Sequence, residues 1–398
     1  VHVARHHYLD ELLRVRDLDL VKVLAGMRGC GKTTLLRDVI ASLKADGVSS
    51  DNIIYLDFEA PGQDWLRAPQ TLVRHIAKAM PPEGRVYVFL DEIQHMPDVR
   101  LAVQYLRSSS RCDLFVASSS MELFRGGSSV RADPGSEIIE VMPLSFAAYA
   151  EVAGTPSTQA EKNDALLRYL RYGGYPGLAV LSDEKVMLAE LQKAYEKVLL
   201  LDVCGHDGPL MEGMVSVLME ELDRPMSLNR ARQLLRNRGI AAPAERVSSM
   251  AADLCGAFAF HYIRRYDMVR RQYLPTHERF YVGAPGMRTA WLGFRADDIG
   301  RLIDNAVCLE LLRRNRWVSR GRRYDSEVSF VTKDPEGTPV CCQVSIGVPD
   351  RKVLSPLLAM DSKATRRTVI TFDAPHDLDL GRGIEQVDVV DWLLQERA

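Results

Sequence analysis

The stretch Gly26-Met27-Arg28-Gly29-Cys30-Gly31-Lys32-Thr33 constrains this chain more than any other of its length. It fits the pattern G-x-x-x-x-G-K-[S/T] in full. The residues before it, Val21 to Leu24, suit a buried strand. Those after it, Thr34 to Lys44, carry Leu35, Leu36, Val39, Ile40 and Leu43 at helical spacing. A glycine-rich turn between strand and helix lets successive backbone N–H groups and the helix N-terminus face one anion. The pattern predicts a phosphate-binding loop for ATP. Gly26, Gly29 and Gly31 would let the backbone approach the phosphates, and Arg28, Cys30 and Thr34 would line the same cradle. Lys32 would reach the β- and γ-phosphates, and the Thr33 hydroxyl would sit on Mg²⁺.

A second signal is the run Val86 to Leu90, apolar throughout as in a strand buried on both faces, ending in Asp91-Glu92. An acid at the C-terminal end of such a strand can hold the hydration shell of Mg²⁺, the role expected of Asp91. The adjoining Glu92 can polarise the attacking water. Two further strands are expected at Asn52 to Glu59 and Asp113 to Ser120. The layout describes P-loop ATPases that act on macromolecules, in which the strand after the acid pair lies between the other two. A polar residue at its end senses the γ-phosphate; both Ser119 and Ser120 stand there.

The chain has 398 residues, enough for two or three domains. Its net charge of -2 excludes a uniformly basic nucleic-acid coat, so any such contact needs a local patch. No run approaches the roughly 18 apolar residues of a membrane helix, and no signal peptide is read at the start. Seven cysteines without a CxxC pair fit a reducing cytosol better than a disulfide framework or a zinc site. His6-His7 reads as solvated, and a cytoplasmic protein is expected.

The segments YLDELL, GMRGCGKTTLL, FLDEIQHM, EVMPLSFAAY and YLRYGGYPGL occur in that order. In this the chain resembles a prokaryotic family of predicted AAA+ superfamily ATPases that join an N-terminal ATPase to a C-terminal, restriction-endonuclease-like domain of unknown function. The resemblance implies an α/β protein in four parts: a P-loop ATPase core over 1–155, a helical lid over 156–205, a winged-helix middle domain over 206–275 and a PD-(D/E)xK nuclease-like α/β domain over 276–398. It also implies a Gly-Arg pair before the PLSF segment, whose arginine acts as a finger on ATP, usually across a subunit interface, so a homo-oligomer is expected. Here that position reads Gly135-Ser136. Arg125 or Arg131 is left as a substitute.

The middle of the chain offers helices at 214–222, 227–239 and 242–257, then a segment alternating with period two from Phe258 to Leu274. Three helices and a basic hairpin is the layout of a winged helix, with Arg264, Arg265, Arg270 and Arg271 on the wing as candidate DNA contacts. In the last part, relatives that keep nuclease chemistry carry an Asp on one strand and Glu-x-Lys on the next. This chain reads Glu327-Val328-Ser329-Phe330 and Gln343-Val344-Ser345. A hydroxyl and a neutral amide do not replace two anionic ligands for a hard cation, so no nuclease activity is expected, although Glu327 and Asp304 remain acidic. Arg313, Arg314, Arg316, Arg320, Arg322 and Arg323 cluster around Trp317; arginines with an interleaved aromatic can grip a phosphate backbone. The expected function is a Mg²⁺-dependent ATPase coupled to a DNA-binding C-terminal region, in DNA processing or genome defence. The alternative is a signalling or scaffold ATPase whose C-terminal domains bind proteins.

Overall fold

A computed structural model describes residues 3, 5–108, 111–121, 135–203, 207–315, 317–360, 364–381 and 383–395. The chain divides into two compact units. The first comprises Val1–Pro143, Leu200–Val203 and Gly256–Phe258; the second comprises Leu144–Leu199, Cys204–Cys255 and Ala259–Ala398.

The first unit is a parallel sheet flanked by helices. In chain order it contains α1 (His6–Arg14), β1 (Val21–Ala25), α2 (Lys32–Ala45), β2 (Ile53–Asp57), α3 (Pro69–Ala79), β3 (Val86–Asp91), α4 (Val99–Arg107), β4 (Cys112–Ser118) and β5 (Ser136–Glu140). The strand order is β2-β3-β4-β1-β5, every pairing parallel. All residues of β1 and β3 are buried, as expected of strands covered on both faces. Because β4 lies between β1 and β3, the ends of all three strands converge. Ala25 pairs with Ser118 and Leu90 with Val116, so the loop after β1, the acids after β3 and the serines after β4 emerge side by side. The sheet's one fully buried cation is Lys22, which composition alone did not flag. It forms an ion pair with Asp113 and donates to Leu18 O at 2.8 Å.

The second unit begins with α5 (Phe146–Ala153), α6 (Gln159–Tyr172) and α7 (Glu184–Lys197). Next come α8 (Gly208–Glu220), α9 (Leu228–Asn237) and α10 (Ala244–Gly256), the last residue of which belongs to the first unit. Thr158 and Glu161 close a reciprocal capping box on α6, and Ser227 caps α9. The remaining elements are β6 (Phe260–Asp267), β7 (Gln272–Val282), α11 (Pro285–Leu292), α12 (Ile299–Arg314), β8 (Ser319–Arg323), β9 (Ser326–Lys333), β10 (Pro339–Ile346), α13 (Arg351–Leu358), β11 (Arg366–Phe372), β12 (Glu385–Asp388) and α14 (Val389–Leu394).

The seven strands form one sheet in the order β12-β11-β10-β9-β8-β6-β7. The basic hairpin of β6 and β7 is therefore the sheet's edge, with β6 parallel to β8 through Arg265–Arg320 and Asp267–Arg322. The boundary expected at 275/276 falls inside β7. Alternation marks a hairpin in the sequence but does not say which strand it pairs with next. Val328, Val331, Cys341, Leu357 and Val369 pack the core under β9 to β11.

Candidate nucleotide-binding site

The loop after β1 closes tightly. A Cβ on Gly26 would stand 2.1 Å from Val141 O, and Gly31, the N-cap of α2, has φ 107°, so neither position accepts a side chain without displacement. Cys30 is buried with its thiol on Val141 O at 3.1 Å, and burial raises the thiol above its ordinary value, which makes it a packing group. Thr33 and Thr34 lie half-buried in the first turn of α2.

Lys32 is 3% exposed. Its ammonium donates to Gly26 O at 3.0 Å, Met27 O at 3.2 Å and Ser119 Oγ at 2.9 Å, and lies 3.6 Å from Glu92 Oε1. Ser119 Oγ in turn donates to Glu92 Oε2 at 2.9 Å. Of the two serines, Ser119 is the one joined to Lys32 and Glu92. The Ser120 amide instead donates to Ser118 Oγ at 3.1 Å. Glu92 adopts φ 51°, ψ 46°, a left-handed conformation uncommon for a non-glycine residue. Burial would raise its carboxyl, but Lys32, Gln94, Arg28 and Ser119 outweigh burial and hold it below the ordinary range. Glu92 is thus held as an anion.

Asp91 accepts from Tyr55 Oη at 2.7 Å and is hydrogen-bonded to the Thr33 side chain. Burial pushes its carboxyl up, opposed by those two hydrogen bonds. A hydroxyl beside a carboxylate is a hard-oxygen donor set of the kind Mg²⁺ takes with substrate phosphates. With the buried ammonium of Lys32 at the start of α2 beside them, these residues fit a magnesium nucleotide. Thr33 and Asp91 would hold the metal, which when bound neutralises phosphate charge.

Arg28, expected in the cradle, is held by acids. It forms a fork on Asp202, with Nε and Nη2 each at 2.8 Å, and Nη1 donates to Glu59 at 2.7 Å. Glu59, Glu92 and His95 bring ligand atoms within 4.8 Å of one another, but Arg28 lies among them, 3.4 Å from His95 Nε2, so the protein's own cation serves this cluster. Sequence reading missed Tyr55, Glu59, Gln94 and Asp202. Gln94 lies in the quoted FLDEIQHM segment and donates to Glu92 at 2.5 Å. Asp202 carries no local signal. Of the finger candidates, Arg125 and Arg131 lie outside the described residues.

A family described as an AAA domain matches residues 19–150. This segment is an AAA+ type P-loop ATPase domain. It contains each residue assigned above to phosphate, metal or water. An uncharacterized protein of Haemophilus influenzae is 25% identical over 398 residues, covering 99% of each chain. An uncharacterized protein of Methanocaldococcus jannaschii is 21% identical over 362 residues, covering 85% of this chain and 79% of its own. Among solved structures, the Walker-type ATPase of Pyrococcus abyssi superposes with a TM-score of 0.51 at 13% identity, over 73% of this chain and 96% of that one. That likeness concerns the fold. No helix among the described residues is long and apolar enough to cross a membrane.

In the second unit, the positions expected to hold nuclease ligands are closed by hydrogen bonds. Ser329 Oγ donates to Gln343 Oε1 at 2.7 Å, and Gln343 Nε2 donates to Glu327 O at 3.1 Å. Several arginines expected to face DNA have partners inside the fold. Arg320 is 8% exposed and lies 3.3 Å from Asp304 and 3.0 Å from Tyr281 Oη, so it is a core ion-pair member and not a surface contact. Arg265 pairs with Glu327 at 2.6 Å. Arg313 and Arg314 share Glu310. Arg322 donates to Tyr324 O at 2.7 Å and Arg323 to Ala359 O. Arg316 lies outside the described residues. Arg264, Arg270 and Arg271 are exposed. Arg264 lies 3.7 Å over the Tyr273 ring, Trp317 Nε1 donates to Tyr273 Oη at 2.8 Å, and Tyr266 meets both rings edge-on. Lys333 stands 5.9 Å over Trp317.

Proposed function

We propose that this protein is a Mg²⁺-dependent ATPase whose nucleotide site is coupled to a nucleic-acid-binding surface on the second unit. The observation that carries the ATPase reading is the bridge Lys32–Ser119–Glu92 beside Thr33–Asp91. It joins a phosphate cation, a water-activating base and a metal pair from three adjacent strand ends. In hydrolysis Lys32 would neutralise phosphate charge, Glu92 would take the proton of the attacking water, and Ser119 would hold the two in register.

Nucleic acid is the partner favoured for the second unit by the face formed by Tyr266, Tyr273 and Trp317 with Arg264 and Lys333. Aromatic rings interleaved with cations stack bases and track phosphates. The division into core, lid, winged helix and nuclease-like domain is kept as a proposal, with the basic hairpin counted in the sheet of the last part and not as a wing. Ser329, Gln343 and Ser345 make the last part a binding scaffold without cleavage. A salt titration of binding to single- and double-stranded DNA tests the coupling. Binding that weakens steeply with salt supports it. No binding at low salt leaves a protein partner as the second unit's ligand.

A further inference from the structure

Arg28 is the only arginine of the phosphate loop, and its surroundings are unusual. Asp202, its main partner, has a side chain with no solvent exposure and ends the single π-helical turn Val198–Asp202, a conformation often found at functional sites. A guanidinium has five N–H donors. Asp202 takes two at 2.8 Å and Glu59 takes one at 2.7 Å. One N–H on Nη1 has no hydrogen-bond partner among the described residues, and the second N–H on Nη2 stands 3.4 Å from His95 Nε2. Nη2 lies 3.9 Å from Glu92 Oε2, while Lys32 lies 3.6 Å from Glu92 Oε1. The carboxylate that would activate water is therefore flanked by two cations, one on each oxygen. A residue that only braced the loop would need the Asp202 fork and nothing aimed at Glu92.

We propose that Arg28 stabilises the transferring phosphoryl group within its own subunit, and that Asp202 is the positioning residue that aims it. This rests on the ATPase reading above. In the reaction the water oxygen forms the new bond to phosphorus, the bond to the ADP oxygen breaks, and the proton leaving water passes to Glu92. Arg28 exchanges no proton and supplies charge alone. The two nitrogens already on Asp202 keep the fork fixed, so little side-chain entropy is lost when the remaining Nη1 N–H meets phosphate.

The test uses the full chain, with titrations of ADP and a non-hydrolysable ATP analogue alongside steady-state turnover. Arg28→Ala should lower kcat by about 10³-fold, the low end for an arginine finger. It should leave ADP affinity within about threefold and abolish any preference for the ATP analogue over ADP. Arg28→Lys should not rescue, because an ammonium cannot hold the Asp202 fork and reach phosphate together. Asp202→Asn should lower kcat by about tenfold with KM unchanged, because it misaims an Arg28 contact to the phosphoryl group that is made only in the transition state. The double variant Arg28→Ala/Asp202→Ala leaves no unpaired buried charge and should show the same kcat loss as Arg28→Ala. Wild-type turnover per subunit should not depend on protein concentration. The proposal is overturned if Arg28→Ala keeps kcat within about threefold, if it loses ADP affinity as much as turnover, or if turnover per subunit rises steeply with concentration. Wild type that binds no nucleotide overturns the ATPase reading and this proposal together, whereas wild-type turnover matched by Arg28→Ala overturns this proposal alone.

Discussion

Lys32 donates to Ser119 Oγ at 2.9 Å across 87 positions of sequence, and Ser119 passes its own proton towards Glu92 at 2.9 Å. The contact exists because β4 is inserted between β1 and β3. Ser119→Ala removes a hydrogen bond to two charged groups, an effect of about 1.5–3 kcal/mol. Turnover should fall about 10- to 100-fold with ATP affinity nearly unchanged, measured by steady-state kinetics beside equilibrium titration. An equal loss in affinity would place Ser119 in ground-state binding instead.

Lys22 and Asp113 are both fully buried and pair at the end of the sheet away from the phosphate loop. Burial lowers the Lys22 ammonium from its ordinary value, opposed by Asp113. Removing one partner strands the other charge. Lys22→Ala or Asp113→Ala should each destabilise by about 3–5 kcal/mol, while replacing both with leucine should cost far less. Urea unfolding of the three variants checks this; equal losses would mean that packing, not charge, dominates.

Asp304 sits in a buried network with Tyr281, Arg320, Asp223, Arg279 and Cys308. Burial, then the charge of Asp223, pushes its carboxyl up to about 8 against the pull of Arg320. An unfolded aspartate titrates near about 3.9. The folded chain therefore keeps a proton that the unfolded chain releases, and stability should fall as pH rises between these values. Asp304→Asn should flatten that decline in melting temperature measured from about pH 5 to 8. An unchanged slope would assign the pH dependence elsewhere.

Arg320 and Arg264 make a contrasting pair. Arg320→Ala should destabilise the second unit, because it removes the buried donor to Tyr281 Oη and Asp304 Oδ2. Arg264→Ala with Lys333→Ala should leave melting unchanged and weaken single-stranded DNA binding. The salt slope should drop by up to about 0.7 per lost phosphate contact. Fluorescence anisotropy at several salt concentrations reads the effect. Unaltered affinity would remove the aromatic face from the account.

Local pattern made much of this legible. The apolar run Val86 to Leu90 predicts a strand, and it forms β3 with Asp91 added. The loop, Lys32, Thr33, Asp91 and Glu92 follow from spacing because each lies next to a strand or helix end. What stayed hidden depends on chain segments meeting from afar. Asp202 reaches Arg28 across 174 positions, and Tyr55 reaches Asp91 only through the pairing of β2 with β3. The arginines around Trp317 read as a surface cluster because composition counts charges. Burial of Arg320 depends on acids from α12 and on Tyr281 of β7, which no local window contains.

The central claim is that Lys32 and Glu92 divide the work of one ATP site. Its most direct test measures ATP binding by calorimetry and phosphate release on the same preparations of wild type, Lys32→Ala and Glu92→Gln. The account predicts that Lys32→Ala loses binding and that Glu92→Gln binds ATP normally with turnover reduced by at least about 10²-fold. Binding unchanged in Lys32→Ala, or wild-type turnover in Glu92→Gln, would contradict it.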